Sequence, residues 1–335
     1  MKLIRKILLP IVPVYYVVTW LRNYLYDLGL KKSTSYKIPI VCVGNLSTGG
    51  TGKTPMIEYL VRLLKDNHSL ATLSRGYKRK SKGFQLGTNK ADANSLGDEP
   101  YQFYTKFKDE VLVAVDADRN NGIKRLLALK NAPNVILLDD AFQHRKVQAG
   151  FNIMLSTYSN LFIDDMVLPT GNLREPKCGA KRANIIVVTK CPFDLSGGQK
   201  AEIISKIKPA SHQNVFFSSI LYSDVVFNNK TSLNLKDLPQ FTLITGIANA
   251  KPLVDFLDEK DLKFDHIDFD DHYNFTTDDL RVFEEKELLI TTEKDFMRLK
   301  QHESLKDKLY FLPIKSTVDN ASKFDALIKD FINLN

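Results

Sequence analysis

The stretch LSTGGTGKTP, Leu46–Pro55, contains three glycines followed by a lysine and a threonine. It matches the phosphate-loop pattern G-x-x-x-x-G-K-[ST], except that Ser47 stands where the first glycine is usual. The loop can accept this serine if its φ stays negative, because only a positive φ favours glycine. The stretch therefore predicts a binding site for a nucleoside polyphosphate.

The residues on either side predict a strand before this loop and a helix after it. Residues 38–43 are mostly apolar and β-branched, and residues 53–64 repeat apolar side chains at helical spacing. Backbone N–H groups of residues 49–54 are then expected to converge at a helix N-terminus, where phosphate is stabilised. We expect Lys53 to neutralise the β- and γ-phosphates and the Thr54 hydroxyl to bind Mg²⁺. The predicted nucleotide-binding residues are Ser47, Thr48, Gly49, Gly50, Thr51, Gly52, Lys53 and Thr54.

A second stretch, NVILLDD at residues 134–140, predicts a buried parallel strand that ends in two carboxylates. Ligands of open α/β sheets bind at the carboxyl ends of the strands. Asp139 is therefore expected to bind Mg²⁺, directly or through water, with Asp140 beside it. The stretch TKCPFD resembles the guanine-reading T-K-x-D pattern but has Pro192 in place of its aspartate, so ATP is the predicted nucleotide.

The N-terminal residues predict a helix at a membrane surface. The uncharged run from Ile7 to Leu21 has 15 residues, which as a helix reach about 22 Å, less than the roughly 30 Å of a bilayer core. No small-x-small cleavage site follows the run. Aromatic and basic residues suit a helix lying in the interface, and the alternative is a core helix of a soluble protein. The cations expected to meet anionic lipid are Arg5, Lys6, Arg22, Lys31 and Lys32.

The amino-acid composition limits the kinds of molecule that the protein is expected to bind. The 335 residues include 47 basic and 39 acidic side chains, which give a formal charge of +8. This excess indicates an anionic partner: nucleic acid, an anionic membrane or a phosphorylated small molecule. The three cysteines have no metal-binding spacing and predict no disulfide framework, which suits a reducing compartment.

The order of the predicted elements indicates an α/β fold. Strand-like runs alternate with helical ones, as a parallel sheet of the P-loop NTPase type requires. We predict four parts: a membrane-associated helix at 1–30, a P-loop core at 31–222, a linker or hairpin at 223–239, and a smaller C-terminal α/β lobe at 240–335.

Several further motifs lie after predicted strands or in turns. Together with GNLSTGGTGKTP they are LSRGY, GDEP, DDAFQHR, GNLREP, DDHYNFT and TTEKD, spread over residues 44–295. This combination resembles the tetraacyldisaccharide 4′-kinases of lipid A biosynthesis, and the N-terminal segment agrees with that family too. The family also has serine at the position of Ser47. One departure is Ala141, where the family more often has glycine.

The resemblance implies transfer of the γ-phosphoryl group of MgATP to the 4′-hydroxyl of a tetraacylated disaccharide 1-phosphate, the lipid A precursor. With the N-terminal helix, it implies a place at the cytoplasmic face of the inner membrane, as a peripheral or monotopic protein. The resemblance also implies that Asp98 of GDEP is the catalytic base, that His272 of DDHYNFT pairs with it, and that Lys53 and Asp139 complete the catalytic set. From the residues alone, Asp98 equally suits a helix N-cap before Glu99, and His272 a packed or surface histidine.

Other polar residues of these motifs are candidates for contact with the substrate. Guanidinium groups suit phosphate oxygens, although each could instead form a structural salt bridge. Asp98 and His272 are expected to face each other across a cleft between the two lobes. The substrate candidates are Arg75, Glu99, Arg119, Gln143, His144, Arg174 and Glu175.

Two other functions fit parts of the sequence. A membrane-associated P-loop ATPase that switches a protein partner would use the same loop and N-terminal helix. An enzyme acting on nucleic acid would use the basic charge, but residues 76–83 are the only basic run, and it lacks interleaved aromatics. We therefore predict that the protein acts on a lipid substrate, contacts a membrane surface through its N-terminal helix and binds no nucleic acid. We also predict that it is a monomer.

Overall fold

The computed structural model describes Arg5, residues 7–271 and residues 273–335. Two units are distinguished along the chain: Met1–Ile220 with Ser316–Asn335, and Leu221–Lys315. Each contains a mostly parallel sheet, which confirms the predicted α/β class. The strands, in chain order, are β1 Ile40–Asn45, β2 Leu70–Ser74, β3 Gln85–Leu86, β4 Val111–Val115, β5 Val135–Asp139, β6 Phe151–Thr157, β7 Ile185–Thr189, β8 Asn214–Tyr222, β9 Val225–Phe227, β10 Ser232–Asn234, β11 Phe241–Thr245, β12 Phe264–Asp268, β13 Leu289–Thr292, β14 Leu309–Leu312 and β15 Ile314–Val318.

The sheet of the first unit has the strand order β15-β8-β7-β6-β1-β5-β2-β4-β3. The strands from β8 to β4 in this order are parallel to their neighbours, and β3 is antiparallel to β4. All residues of β1 and β5 are buried, as expected for central strands covered on both faces. Val43 pairs with Asp139, so the phosphate loop and the acid pair follow neighbouring strands.

Helices lie between the strands, and α2 illustrates why they form. It buries an apolar stripe at helical spacing, including Met56, Leu60 and Leu64, against the central strands. The α-helices are α1 Val12–Asp27, α2 Lys53–Leu64, α3 Ala93–Leu96, α4 Asp98–Phe107, α5 Arg119–Leu127, α6 Gly197–Ile207, α7 Lys251–Glu259, α8 Thr277–Glu284, α9 Glu293–Leu299 and α10 Ala321–Asn333. Short 3₁₀ helices span Leu9–Ile11, Lys108–Glu110, Phe162–Asp164, Lys177–Arg182, Leu235–Asp237 and Glu303–Leu305.

The C-terminal residues differ from the predicted division. A lobe at 240–335 is wrong for its last part, because β15 joins the first sheet and α10 packs on the same unit. Phe324 of α10 is fully buried, and its ring lies edge-on to Phe216 with centroids 5.1 Å apart. The Tyr59 hydroxyl of α2 donates to Asp325 at 2.8 Å. These contacts fix the last helix to the first unit.

The sheet of the second unit has the order β10-β9-β14-β13-β11-β12. Strands β14, β13, β11 and β12 are parallel in that order, and β9 is antiparallel to β14. The segment predicted as a linker or hairpin at 223–239 contains β9 and β10, which pair with each other. It is a hairpin within this sheet, held by the buried Val226.

The N-terminal helix α1 packs on the first unit, within which it is grouped. In the described part of the chain, no helix combines the length and apolar character needed to cross a bilayer. Most apolar side chains of α1 are exposed to solvent, including Val14, Val17 and Val18, and its one buried residue is Asn23. The structure therefore does not bear out the core-helix alternative.

Candidate functional site

The phosphate loop connects the end of β1 to the start of α2. Gly52 is the N-cap of α2, with a left-handed φ of +83°, and Gly49 has a φ of +104°, so both positions favour glycine. Ser47 is not among the residues with positive φ, which explains why a serine fits there. Among the described residues, no side chain caps the N-terminus of α2, so its first N–H groups are available to an anion.

Neighbouring segments hold this loop in place. The Thr48 N–H donates to Asn172 O at 2.8 Å, and Ser47 forms a bridge with Leu173. Thr51 is buried: its hydroxyl accepts from Asn45 Nδ2 at 2.8 Å, and its carbonyl accepts from Thr189 Oγ1 at 2.8 Å. The Thr51 N–H donates to Gly49 O at 3.1 Å. The Thr51 side chain therefore shapes the loop from within, and the contact of this residue with the nucleotide stays a prediction.

The acid pair lies beside the loop and has two cationic partners. Lys53 Nζ is 3.8 Å from Asp140 Oδ1. The Arg174 guanidinium contacts both oxygens of the same carboxylate, at 2.7 and 3.2 Å, and also donates to Asn45 Oδ1. This bidentate geometry is the strong form of an arginine–carboxylate pair. Arg174 is therefore positioned by Asp140 and by the end of β1.

The two carboxylates differ in their electrostatic environments. Burial, with the negative charges of Glu99 and Asp140, raises the pKa of Asp139 to about 7. Burial acts on Asp140 too, but Lys53 and Arg174 outweigh it and lower the pKa of that carboxyl below its usual value. Asp140 is therefore ionised at neutral pH. A cation bound beside Asp139 would favour its ionised form, with the proton released to solvent.

Asp139 also has an unused oxygen. Its Oδ1 is buried and accepts no hydrogen bond from the described residues. A buried carboxylate oxygen without a donor is costly unless a cation or water completes it. Oxygen ligands of this kind suit Mg²⁺, which keeps several waters and nucleotide oxygens and uses few protein ligands.

Further charged residues follow the neighbouring strands β2 and β4. Arg75 comes directly after β2 and is exposed. Arg119 begins α5, is 2% exposed and donates to Asp116 O at 3.1 Å. Burial lowers the pKa of Arg119, and the positive charge of Arg75 contributes in the same direction. The charges of Asp139 and Asp140 oppose this shift. Both arginines therefore gather with the acid pair at one edge of the sheet.

Asp98 and Glu99 begin helix α4. Gly97 is the N-cap of this helix and Asp98 its first residue, so the N-cap interpretation of Asp98 is wrong. Asp98 and Glu99 are half-buried, and the negative charge of Glu99 contributes to the raised pKa of Asp139. His272 lies outside the described residues, so its pairing with Asp98 remains a prediction.

Of the remaining substrate candidates, Gln143 and Glu175 belong to an internal network. Glu175 is 1% exposed and accepts from Arg182 Nη2 at 2.6 Å and from Gln143 Nε2 at 3.1 Å. Gln143 Nε2 also donates to Asn45 O at 2.7 Å. Burial and the charge of Arg119 lower the pKa of His144 to about 4, so this histidine is neutral. Glu175 and Gln143 therefore support the loop, and the structure does not favour their direct contact with a sugar.

Sequence reasoning missed the residues that brace the site. Asn45, Arg182 and Thr189 all contact the loop or the Glu175 carboxylate. A usable signal existed for Asn45 alone, a polar residue at the end of an apolar strand just before the loop.

The fold and these residues define a P-loop nucleotide-binding protein whose loop faces an acid pair and several arginines. The sequence matches the family described as LpxK, tetraacyldisaccharide-1-P 4′-kinase, over residues 4–333. The chain belongs to this family. The membership confirms the resemblance found in the motifs and does not favour the ATPase switch.

Individual relatives match the sequence of this chain along nearly its whole length. The tetraacyldisaccharide 4′-kinase of Flavobacterium johnsoniae is 49% identical, covering 100% of this chain and 99% of the relative. That of Flavobacterium psychrophilum is 48% identical over 99% and 98% of the two chains. The crystal structure of LpxK from Aquifex aeolicus in complex with ATP has a TM-score of 0.79 at 31% identity, covering 98% of this chain and 99% of that one.

Proposed function

We propose that this chain transfers the γ-phosphoryl group of ATP to the 4′-hydroxyl of a tetraacyldisaccharide 1-phosphate in lipid A biosynthesis. The observation that carries the proposal is the loop itself: Lys53 lies 3.8 Å from Asp140, next to the unpartnered oxygen of Asp139. A helix N-terminus, a lysine and adjacent carboxylates are the parts that phosphoryl transfer uses. The ATP complex of the Aquifex aeolicus relative supports ATP as the donor.

The proposed metal site uses the residues nearest the loop. Thr54, Asp139 and Asp140 would hold Mg²⁺, directly or through water. The ion supplies positive charge to the phosphate oxygens as negative charge develops on them. Lys53 adds a second positive charge at the same phosphates, and the N–H groups at the start of α2 orient them. The loop residues therefore stabilise the transferring group without forming a covalent bond to it.

Asp98 is the proposed base for the acceptor hydroxyl. It lies in the first turn of α4, next to Glu99. The negative charge of Glu99 contributes to the raised pKa of Asp139. Moving the hydroxyl proton to a carboxylate as the new bond forms lowers the barrier to attack. His272, from the family motif, is proposed to pair with Asp98. Arg75 and Arg119 are proposed to bind phosphate oxygens of the nucleotide or the substrate.

The proposed place of action is the cytoplasmic face of the inner membrane, where α1 lies on the surface. The exposed apolar residues of α1 would enter the lipid, with the aromatic rings of Trp20 and Tyr24 stacked 5.2 Å apart beside them. Lys31 and Lys32 are exposed and suit anionic headgroups. Arg22 instead donates to Gln143 O at 2.8 Å, so its predicted lipid contact is not supported.

The proposed state of the protein is a monomer. The proposed substrate is a lipid, and nucleic acid has no role in this account. The basic excess of the sequence is then explained by an anionic lipid substrate and an anionic membrane.

Making the exposed side of α1 polar is expected to weaken membrane binding. Val14, Val17 and Val18 are 63%, 55% and 60% exposed. If each gains about 1 kcal/mol on entering lipid, changing all three to serine should lower vesicle affinity by about 100-fold. Co-sedimentation with phosphatidylglycerol vesicles measures this. Val282→Ser, at an exposed valine of α8, is the control and should bind as wild type does. Equal binding by the triple variant would contradict the interfacial role of α1.

Radiolabel transfer tests the proposed function. The purified chain is incubated with γ-labelled ATP and tetraacyldisaccharide 1-phosphate in detergent micelles, and the lipid is extracted. Label in the lipid is the expected result. ATP hydrolysis without labelled lipid, or ATP consumption only after a protein partner is added, would favour the ATPase switch instead.

A further inference from the structure

Helix α1 buries one side chain, and that side chain is polar. Asn23 is 6% exposed, while every other residue of the helix is half-buried or exposed. Burying a carboxamide costs free energy unless it is hydrogen-bonded. An apolar residue would anchor a helix to a protein surface at lower cost, so the asparagine calls for a specific partner.

That partner is the buried carboxylate of Glu175. Asn23 Nδ2 donates to Glu175 Oε2, while Arg182 and Gln143 donate to Oε1 at 2.6 and 3.1 Å. A carboxylate this deeply buried depends on its donors for both charge and position. Asn23 is the donor that fixes the second oxygen, and it comes from the membrane-facing helix.

Two routes lead from Glu175 into the phosphate loop. Gln143 Nε2 also donates to Asn45 O, and Asn45 Nδ2 donates to the Thr51 hydroxyl within the loop. Arg174, the residue before Glu175, donates to Asp140 Oδ1. The same oxygen lies 3.8 Å from Lys53 Nζ.

The same helix also holds the backbone of this segment. The Tyr15 hydroxyl donates to Arg174 O at 2.9 Å. Arg145 Nη1 donates to Asn23 O at 2.8 Å and pairs with Asp27 at 2.7 Å. The helix is therefore attached through directional polar bonds on both sides of Asn23, and these bonds fix its position along its axis.

We propose that Asn23 is a positioning residue for phosphoryl transfer: it orients Glu175, and through Glu175 it sets the places of Gln143, Arg174 and the phosphate loop. This inference rests on the proposed kinase function and adds a role for α1 beyond membrane contact. A helix lying in the lipid surface would thereby be linked, through a short set of hydrogen bonds, to the groups that hold the nucleotide.

Asn23→Leu tests the role, because leucine keeps a similar volume and removes the donor. The expected result is a kcat about 10–100-fold lower, as for residues that orient catalytic groups indirectly. The ATP dissociation constant should rise several-fold, since the loop loses support. Vesicle binding should be unchanged, because Asn23 faces the protein. Asn23→Asp, which keeps the shape but brings a carboxylate against Glu175, should lower kcat at least as much and serves if the leucine variant does not fold.

Thr19→Val is the matched control one helical turn earlier. Among the described residues, the Thr19 hydroxyl donates within α1 alone, to Tyr15 O and Tyr16 O at 2.7 and 3.1 Å. This variant should keep kcat and ATP affinity within about twofold of wild type. A merely structural contribution of the helix would lower both variants alike and would overturn the positioning role.

A double-mutant cycle separates positioning through Glu175 from any other effect. If Asn23 acts through that carboxylate, adding Asn23→Leu to Glu175→Gln should lower kcat no further. Independent effects that multiply would overturn the inference. Should wild type fail to label the lipid, the proposed function fails, and the ATP dissociation constants of the same variants still test the link from Asn23 to the loop.

Discussion

Replacing Lys53 by methionine is expected to lower kcat for phosphoryl transfer by roughly 10³-fold or more. Lys53 begins α2 directly after the phosphate loop, and its ammonium lies 3.8 Å from Asp140. Methionine keeps most of the side-chain volume but lacks the positive charge that would face the transferring phosphate. The loss therefore falls on stabilisation of the transition state, where negative charge develops. Initial rates of labelled-lipid formation at saturating ATP measure this directly.

Lys65→Met provides the control for this first prediction. Lys65 is the residue that ends the same helix, where it pairs with Glu110 on the surface. A surface pair of this kind contributes little to stability, so this variant should retain near wild-type turnover. If Lys53→Met kept its activity while Lys65→Met lost it, the phosphate loop would not be the site of transfer.

Asp98→Asn is expected to give the second large effect. The asparagine has the same shape but does not accept the proton of the acceptor hydroxyl, so kcat should fall by about 10²–10⁴-fold. The ATP dissociation constant should stay close to that of wild type, because Asp98 begins α4 and is not part of the phosphate loop. Rapid-quench turnover and a fluorescent-nucleotide titration separate the two quantities.

The role of Asp98 follows from which of two quantities changes, kcat or the ATP dissociation constant. Asp109→Asn, at an exposed carboxylate just after the same helix, makes the same chemical change and should leave both quantities unaltered. A loss of ATP affinity in Asp98→Asn with little change in kcat would place Asp98 at the nucleotide or its metal and remove it as the base.

Local sequence was enough to predict the centre of the site. The phosphate loop is one continuous segment whose glycines, lysine and threonine have roles set by backbone geometry. The strand before Asp139 is continuous and apolar, so a buried parallel strand with two carboxylates at its end could be predicted too, whereas its place beside β1 comes from the structure. Arg75 and Arg119 followed from the rule that the ends of parallel strands share one edge of the sheet.

The supporting contacts could not be predicted in this way. Asn23, Gln143 and Glu175 meet from positions far apart in the chain, and no pattern in any one segment marks the partner of a buried carboxylate. The return of β15 and α10 to the first unit is a long-range pairing of the same kind. The inward position of the Thr51 side chain could not be predicted either, because the loop pattern does not show which of its residues turns inward.

The position of the new phosphate tests the central claim most directly. The lipid product formed from ATP and tetraacyldisaccharide 1-phosphate is purified, and proton–phosphorus correlation NMR locates the added group. The account predicts one new phosphomonoester coupled to the proton on carbon 4′, and no product from an acceptor that lacks the 4′-hydroxyl. Phosphate on another hydroxyl, or release of inorganic phosphate alone, would contradict it.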